Sequence, residues 1–171
     1  GCFDTLTLPI VVNSVPVPAF SADTVCQGNP TTFVNGSTDV NPMTHLWAFG
    51  DGNNSITPNP TYIYPDSGWY SVELFVSNGF GCIDSITHPV YVAPVPVADF
   101  TSDTICLGNP TTFTNLSSPF VTQWTWDFGD GNTSTVSSPQ HSYASDGNYT
   151  VVLNVNTAFG CTASVTHNAF V

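Results

Sequence analysis

Short runs of alternating apolar and polar residues dominate the chain, and Gly, Pro, Asn or Asp interrupts them every 8–12 residues or so, the rhythm of strands and turns. In Gly68–Ser77 (GWYSVELFVS), Tyr70, Val72, Leu74 and Val76 share one parity. They therefore share one face, because strand side chains alternate with a period of two. No stretch keeps an apolar period near 3.6 over a useful length. The pattern predicts an all-β protein.

The same pattern occurs twice. AFSADTVCQGNPTTF (19–33) returns as DFTSDTICLGNPTTF (99–113), WAFGDGN (47–53) as WDFGDGN (126–132), and FGCIDSITHPVYV (80–92) as FGCTASVTHNAFV (159–171). The offset is about 80 residues, so residues 13–92 and 93–171 read as two copies of one unit. Residues 1–12 (GCFDTLTLPIVV) align with 81–92 and read as the last strand of a preceding repeat, so the chain is expected to be an excerpt of a longer tandem array. A donor strand that completes a neighbouring subunit is the alternative for that segment. Comparing the copies also separates the faces. Tyr149, Val151, Leu153 and Val155 repeat the apolar parity, whereas Trp69, Ser71, Glu73 and Phe75 become Asn148, Thr150, Val152 and Asn154. Phe33/Phe113, Trp47/Trp126, Phe49/Phe128 and Tyr64/Tyr143 complete the expected core. About seven short strands per copy predict an immunoglobulin-like sandwich.

Composition narrows the function. The 171 residues include no Lys or Arg against 12 acidic residues, a net charge of −12. Nucleic-acid binding is excluded, since its affinity comes from Lys and Arg on phosphates. Arg-held cofactors and anionic membranes are disfavoured for the same reason. No apolar run approaches the ~20 residues of a membrane span, and no basic leader region opens the sequence. Among five cysteines, the repeat suggests Cys26–Cys82 and Cys106–Cys161, each within one copy. Cys2, the counterpart of Cys82, would then pair with a missing upstream repeat. Such bonds imply an extracytoplasmic location.

WDFGDGN, followed by HSYASDGNYTVVLNV and then FGC (126–161), strongly resembles the PKD (polycystic kidney disease) domain family. The first copy departs from the pattern at Ala48 and at Thr61-Tyr62. The resemblance implies tandem immunoglobulin-like (PKD) β-sandwiches in an extended array, serving as spacers or adhesion modules. Asp51-Gly52 and Asp130-Gly131 are expected to supply the positive-φ residues of tight hairpins, with the two carboxylates accepting bonds from turn amides.

The remaining candidates are few. Asp66-Ser67-Gly68 and Asp127-Phe128-Gly129 mimic catalytic triplets without the partners those need, so no catalytic residue is assigned and no cofactor is expected. The four His residues lack zinc-ligand spacing. Some PKD domains bind calcium, and Asn35 with Asp51, or Asn115 with Asp127 and Asp130, are candidate oxygen ligands. Thr5, Thr24, Ser85 and Thr104 lie in Asp-Ser/Thr-aliphatic triplets that resemble the O-glycosylation acceptor of Bacteroidota. Together these readings predict a non-catalytic stalk segment of a large exported cell-surface adhesin, attached at the outer membrane, with neighbouring repeats of the same chain as partners. Such arrays resemble the giant adhesins of gliding Bacteroidota. The alternatives are an accessory module of a secreted hydrolase, which would bind polysaccharide or protein through an aromatic platform (Trp69, Phe75, Phe80, Trp124), and the subunit of a surface filament.

Overall fold

The computed structural model describes residues 4–39 and 42–171, and their regular structure is entirely β. In the first repeat the strands are β1 (Phe20–Ala22), β2 (Val25–Cys26), β3 (Thr31–Asn35), β4 (Met43–Ala48), β5 (Asn54–Ser55), β6 (Thr61–Tyr62), β7 (Gly68–Asn78) and β8 (Ile83–Ala93). The second contributes β9 (Phe100–Ser102), β10 (Thr111–Asn115), β11 (Val121–Asp127), β12 (Thr133–Ser134), β13 (Gln140–His141), β14 (Asn148–Thr157) and β15 (Thr162–Phe170).

Each repeat forms a sandwich of a three-stranded sheet and a larger one. β1-β3-β6 and β9-β10-β13 are the small sheets; β5-β4-β7-β8 and β12-β11-β14-β15 run side by side in the large ones. The long hairpin β14–β15 is in register from Asn148↔Phe170 to Asn156↔Thr162. This register places Val151, Leu153 and Val155 inward, where they are buried with Phe113, Trp126 and Phe128. Val72, Leu74 and Val76 are buried in the same way on β7, with Phe33, Trp47 and Phe49. At ~1.5–3 kcal/mol for each fully buried large apolar side chain, these faces supply the main driving force. The indole N–H groups must be satisfied inside: Trp47 donates to the Thr57 carbonyl at 3.0 Å and Trp126 to that of Val136 at 2.8 Å.

The compact units do not follow the sequence repeats. The described residues up to Asp23, with those of Pro30–Ile63 and Trp69–Tyr91, form one unit; Thr24–Asn29, Tyr64–Gly68 and Val92–Val171 form the other. Thr24–Asn29 is thus a segment of the first copy that belongs to the second unit. There β2 pairs in parallel with the end of β8, Val25 with Val92 and Cys26 with Ala93. The Gln27 amide donates to the Ala93 carbonyl at 2.8 Å. Asp4–Val12, expected as a closing strand, contains no strand, and Leu6, Leu8, Ile10 and Val12 are exposed. Each repeat holds its own last strand, β8 or β15. Cys2 lies outside the described residues.

Candidate functional site

In each copy a polar network centred on the aspartate holds the Gly-Asp-Gly hairpin. Positive φ belongs to the flanking glycines and not to the aspartates: Gly50 and Gly52 have φ of 85° and 96°, Gly129 and Gly131 of 77° and 90°. Asp51 and Asp130 instead bind the turn. Asp51 Oδ1 accepts from the Asn53 amide at 3.0 Å, and Oδ2 from the Tyr62 hydroxyl at 2.6 Å. Asp130 Oδ1 accepts from the Asn132 amide at 3.0 Å, and Oδ2 contacts His141 Nε2 at 2.7 Å.

Tyr62 and His141 are counterparts at the 79-residue offset, and the structure explains how they exchange. Each is a flat ring stacked on the hairpin Phe with a polar tip reaching the carboxylate. Tyr62 lies 4.2 Å from Phe49 at 9°, and His141 lies 4.2 Å from Phe128 at 3°. Partial burial by itself raises the Asp51 carboxyl. The bonds from Tyr62 and Asn53 outweigh it and hold the group below its ordinary value. For Asp130 burial again opposes, and Asn132 and His141 prevail. The bond to Asp51 pushes the Tyr62 hydroxyl up. Burial, with Asp130 and Tyr149 nearby, raises Tyr143 to about 12.

These networks correct the expected calcium grouping. Thr31 pairs with Tyr62, so Asp51 lies at the Thr31 end of β3, while Asn35 lies four residues on, roughly 13 Å away. Thr111 pairs with His141, which puts Asn115 at the far end of β10 from Asp130 in the same way. Asn35 and Asn115 accept from the amides of Ser37 and Ser117 two residues on. Asp127 Oδ1 accepts from the Gly129 amide at 2.9 Å. Among the described residues no group of three His, Cys, Asp or Glu side chains is arranged to hold a metal ion.

The acceptor-like triplets have a structural side as well. Asp23 and Asp103 accept from the amides of Thr32 and Thr112, both at 2.7 Å, which fastens the start of each copy to β3 or β10. The hydroxyl residues Thr5, Thr24, Ser85 and Thr104 are exposed. The Ser85 hydroxyl donates to Glu73 at 2.9 Å. Of the aromatic candidates, Trp69 is 71% exposed with Tyr91 beside it at 4.8 Å. Phe75 shares its face but stands six residues away, roughly 20 Å along β7. Phe80 is exposed in the following turn, and Trp124 packs against the core of the second unit. They do not form one platform.

The cysteines depart most from expectation. The structure closes Cys26–Cys161, with Cα atoms 5.6 Å apart and 135 residues between them; Cys82 and Cys106 are free. The intra-repeat pair Cys26–Cys82 fails on distance. Cys26 pairs with Ala93 at the end of β8, whereas Cys82 precedes its start at Ile83. The length of β8 is roughly 33 Å, and a disulfide needs Cα atoms within about 7 Å. Cys106–Cys161 is replaced because Cys161 already has its partner. Both bonded cysteines lie in the second compact unit.

The PKD domain family model matches residues 13–94 and 92–171. Over 46 residues the chain is 50% identical to the microbial collagenase of Vibrio alginolyticus, a match that covers 27% of this chain and 6% of that protein. Over 144 residues it is 33% identical to polycystin-1 of Homo sapiens, covering 65% of this chain and 3% of that one. It therefore spans only a small fraction of these curated relatives. A titin I-band fragment shares the fold, with a TM-score of 0.59 at 16% identity over 93% of this chain and 66% of that one. The two family matches account for every described strand, and on that ground the chain belongs to the PKD domain family.

Proposed function

We propose that the chain is a non-catalytic spacer in a large secreted or cell-surface protein, an adhesin stalk in which residues 13–92 and 93–171 are successive repeats. The supporting observation is the fate of the polar motif residues. In both copies the hairpin carboxylates bind their own turn, so the motif serves the fold. The Cys26–Cys161 bond fits an oxidising, extracytoplasmic setting, since such bonds are rare in the cytosol. Uniform negative charge discourages lateral clumping, and the absence of Lys and Arg removes every trypsin site. Residues 1–12 would close an upstream repeat, and export to an outer surface with a role in gliding belongs to the same reading. Modification at Thr5, Thr24, Ser85 or Thr104 would place the chain on a glycosylating surface.

A second reading, an accessory binding module, draws on exposed Trp69 with half-buried Tyr91 beside it, because the faces of aromatic rings suit sugar rings or apolar peptide. One experiment separates the two: sedimentation of the 171-residue chain with insoluble chitin, cellulose and collagen, paired with Trp69→Ala. The spacer reading expects no retention on any of them. Retention that Trp69→Ala abolishes would replace it with the binding module. The intact mass of the natural protein tests glycosylation, through added hexose on the named residues.

A further inference from the structure

Among the described residues, the cross-repeat disulfide leaves two cysteines whose positions repeat those of the bonded pair. Cys106 is the counterpart of Cys26 at offset 80, and Cys82 that of Cys161 at offset 79. Their surroundings match as well. Cys161 closes the β14–β15 turn, where the Thr157 amide donates to its carbonyl at 3.0 Å and Thr157 Oγ1 accepts its amide at 3.1 Å. Cys82 closes the β7–β8 turn with Asn78 in the same two roles, both at 3.1 Å. Cys161 is buried at 1% exposure, while Cys82 is half-buried and unbonded.

A second observation points the same way. In the first copy, Val25 and Cys26 find backbone partners in Val92 and Ala93. Their counterparts Ile105 and Cys106 form no strand, and Cys106 and Leu107 are exposed. Val171 is the counterpart of Val92, and the counterpart of Ala93 would follow it. The Ile105-Cys106-Leu107 segment thus pairs with no described strand and presents an exposed apolar side chain and an exposed thiol. Val25-Cys26-Gln27 holds the corresponding place in the first copy with its backbone paired and its cysteine bonded.

We propose that Cys106 forms the same bond to a following repeat of this type, through that repeat's counterpart of Cys161, and that Cys82 receives the bond from a preceding one. The partner is thus another copy of the repeat. In a tandem array each copy would hold one disulfide forward and one backward, a covalent ladder running parallel to the peptide backbone. Each bond forms by oxidation. A cysteine thiolate attacks a small-molecule disulfide and releases one small thiol; the second cysteine thiolate attacks the resulting mixed disulfide and releases the other, so the two small thiols carry off the two electrons and two protons. This inference rests on the tandem-array part of the proposed function and is independent of what the array adheres to.

The test extends the chain by a further copy of residues 93–171 placed after Val171, in a Cys2→Ser background. The product is oxidised in glutathione buffer, alkylated, and cut unreduced with an Asp-directed protease. The expected map links Cys26 to Cys161 and Cys106 to the appended copy's Cys161 counterpart, leaving Cys82 and the appended copy's Cys106 counterpart alkylated. Cys106 alkylated, or joined to Cys82 or to the original Cys161, would overturn the proposal. A second measurement covers failure of the extended chain to fold. The unextended chain at high concentration in the same buffer should give a head-to-tail dimer linked Cys106–Cys82, lost in Cys106→Ser and in Cys82→Ser. Symmetric Cys106–Cys106 or Cys82–Cys82 dimers, or no dimer, would count against the register. Retention on chitin, cellulose or collagen that Trp69→Ala abolishes, together with a correct disulfide map, would replace the spacer reading and leave the ladder standing.

Discussion

Pulling the chain from its two ends gives the sharpest test of the Cys26–Cys161 bond. Tension entering near the N-terminus reaches Cys26, crosses the sulfurs to Cys161, and leaves through β15. The two cysteines are 135 residues apart in sequence, and the chain between them carries no load. Most of both apolar cores lies inside that loop, including Trp47, Leu74, Trp126 and Leu153. Oxidised chain can therefore lengthen only by straightening the residues before Cys26 and peeling β15. Reduction, or Cys161→Ser, frees the loop. At 3.3–3.6 Å per extended residue, about 450–490 Å of hidden length should then appear. Single-molecule force spectroscopy in the presence and absence of dithiothreitol measures this directly. Extension of residues 83–105 before reduction would place the bonds within the repeats, and two full unfolding steps from the oxidised chain would mean that no bond closes; either result would refute the reasoning. The same bond restricts the unfolded chain. The loop-entropy model gives an upper figure of about 5 kcal/mol for a loop of this size, which chemical denaturation with and without reductant would bound.

Three further outcomes follow from the hairpins. An added Cβ at Gly129 would meet the Thr150 carbonyl oxygen at 2.5 Å, whereas at Gly131 it would meet nothing within 4 Å; both residues have positive φ. Gly131→Ala should cost about 1–2 kcal/mol for the left-handed backbone, and Gly129→Ala about 1–3 kcal/mol more for displacing β14. Urea unfolding followed by circular dichroism compares them, and equal losses would contradict the close approach. Asp51 and Asp130 titrate below the ordinary carboxylate value when folded. Their stabilisation is therefore present above the unfolded value of about 3.9 and is lost as pH falls through the lower folded value. The gap in melting temperature between the parent and Asp130→Asn should shrink from pH 5 to pH 2, and a constant gap would remove the carboxylate from the account. Because β3 and β10 separate the expected calcium ligands, calcium or EDTA should leave the melting curve unchanged. A rise of several degrees with calcium would reinstate a site.

The core was legible because the two copies act as an alignment of two. Val72, Leu74 and Val76 keep their apolar character at Val151, Leu153 and Val155, and all six are buried. Trp69 and Phe75, replaced by Asn148 and Asn154, face outward or lie half-covered. The hairpin was legible as a turn but not in its details. Sequence marks Asp-Gly as a hairpin signal, yet which residue takes positive φ depends on what packs behind it, and Gly129 is required by the β14 carbonyl at its back. The exchange of Tyr62 for His141 reads as a departure in sequence. In space it conserves a stacked ring with a polar tip on the aspartate.

The cysteines expose a limit of a different kind, since a repeat cannot reveal its own phase. Pairing the early cysteine of a copy with the late cysteine of the same copy obeys the translational symmetry of the sequence. Pairing it with the late cysteine of the next copy obeys it equally, and the residues are identical in the two cases. Only the third dimension breaks the tie. The early segment must lie beside either the start or the end of the last strand, and β8 is roughly 33 Å long. The parallel pairing of Val25 with Val92 chooses the end, next to Ala93, the first residue of the following copy. Once that edge is fixed, the partner thiol has to come from the next copy, where the β14–β15 turn supplies Cys161. A shift of one repeat in this single choice turns a set of separately locked domains into a continuous covalent ladder.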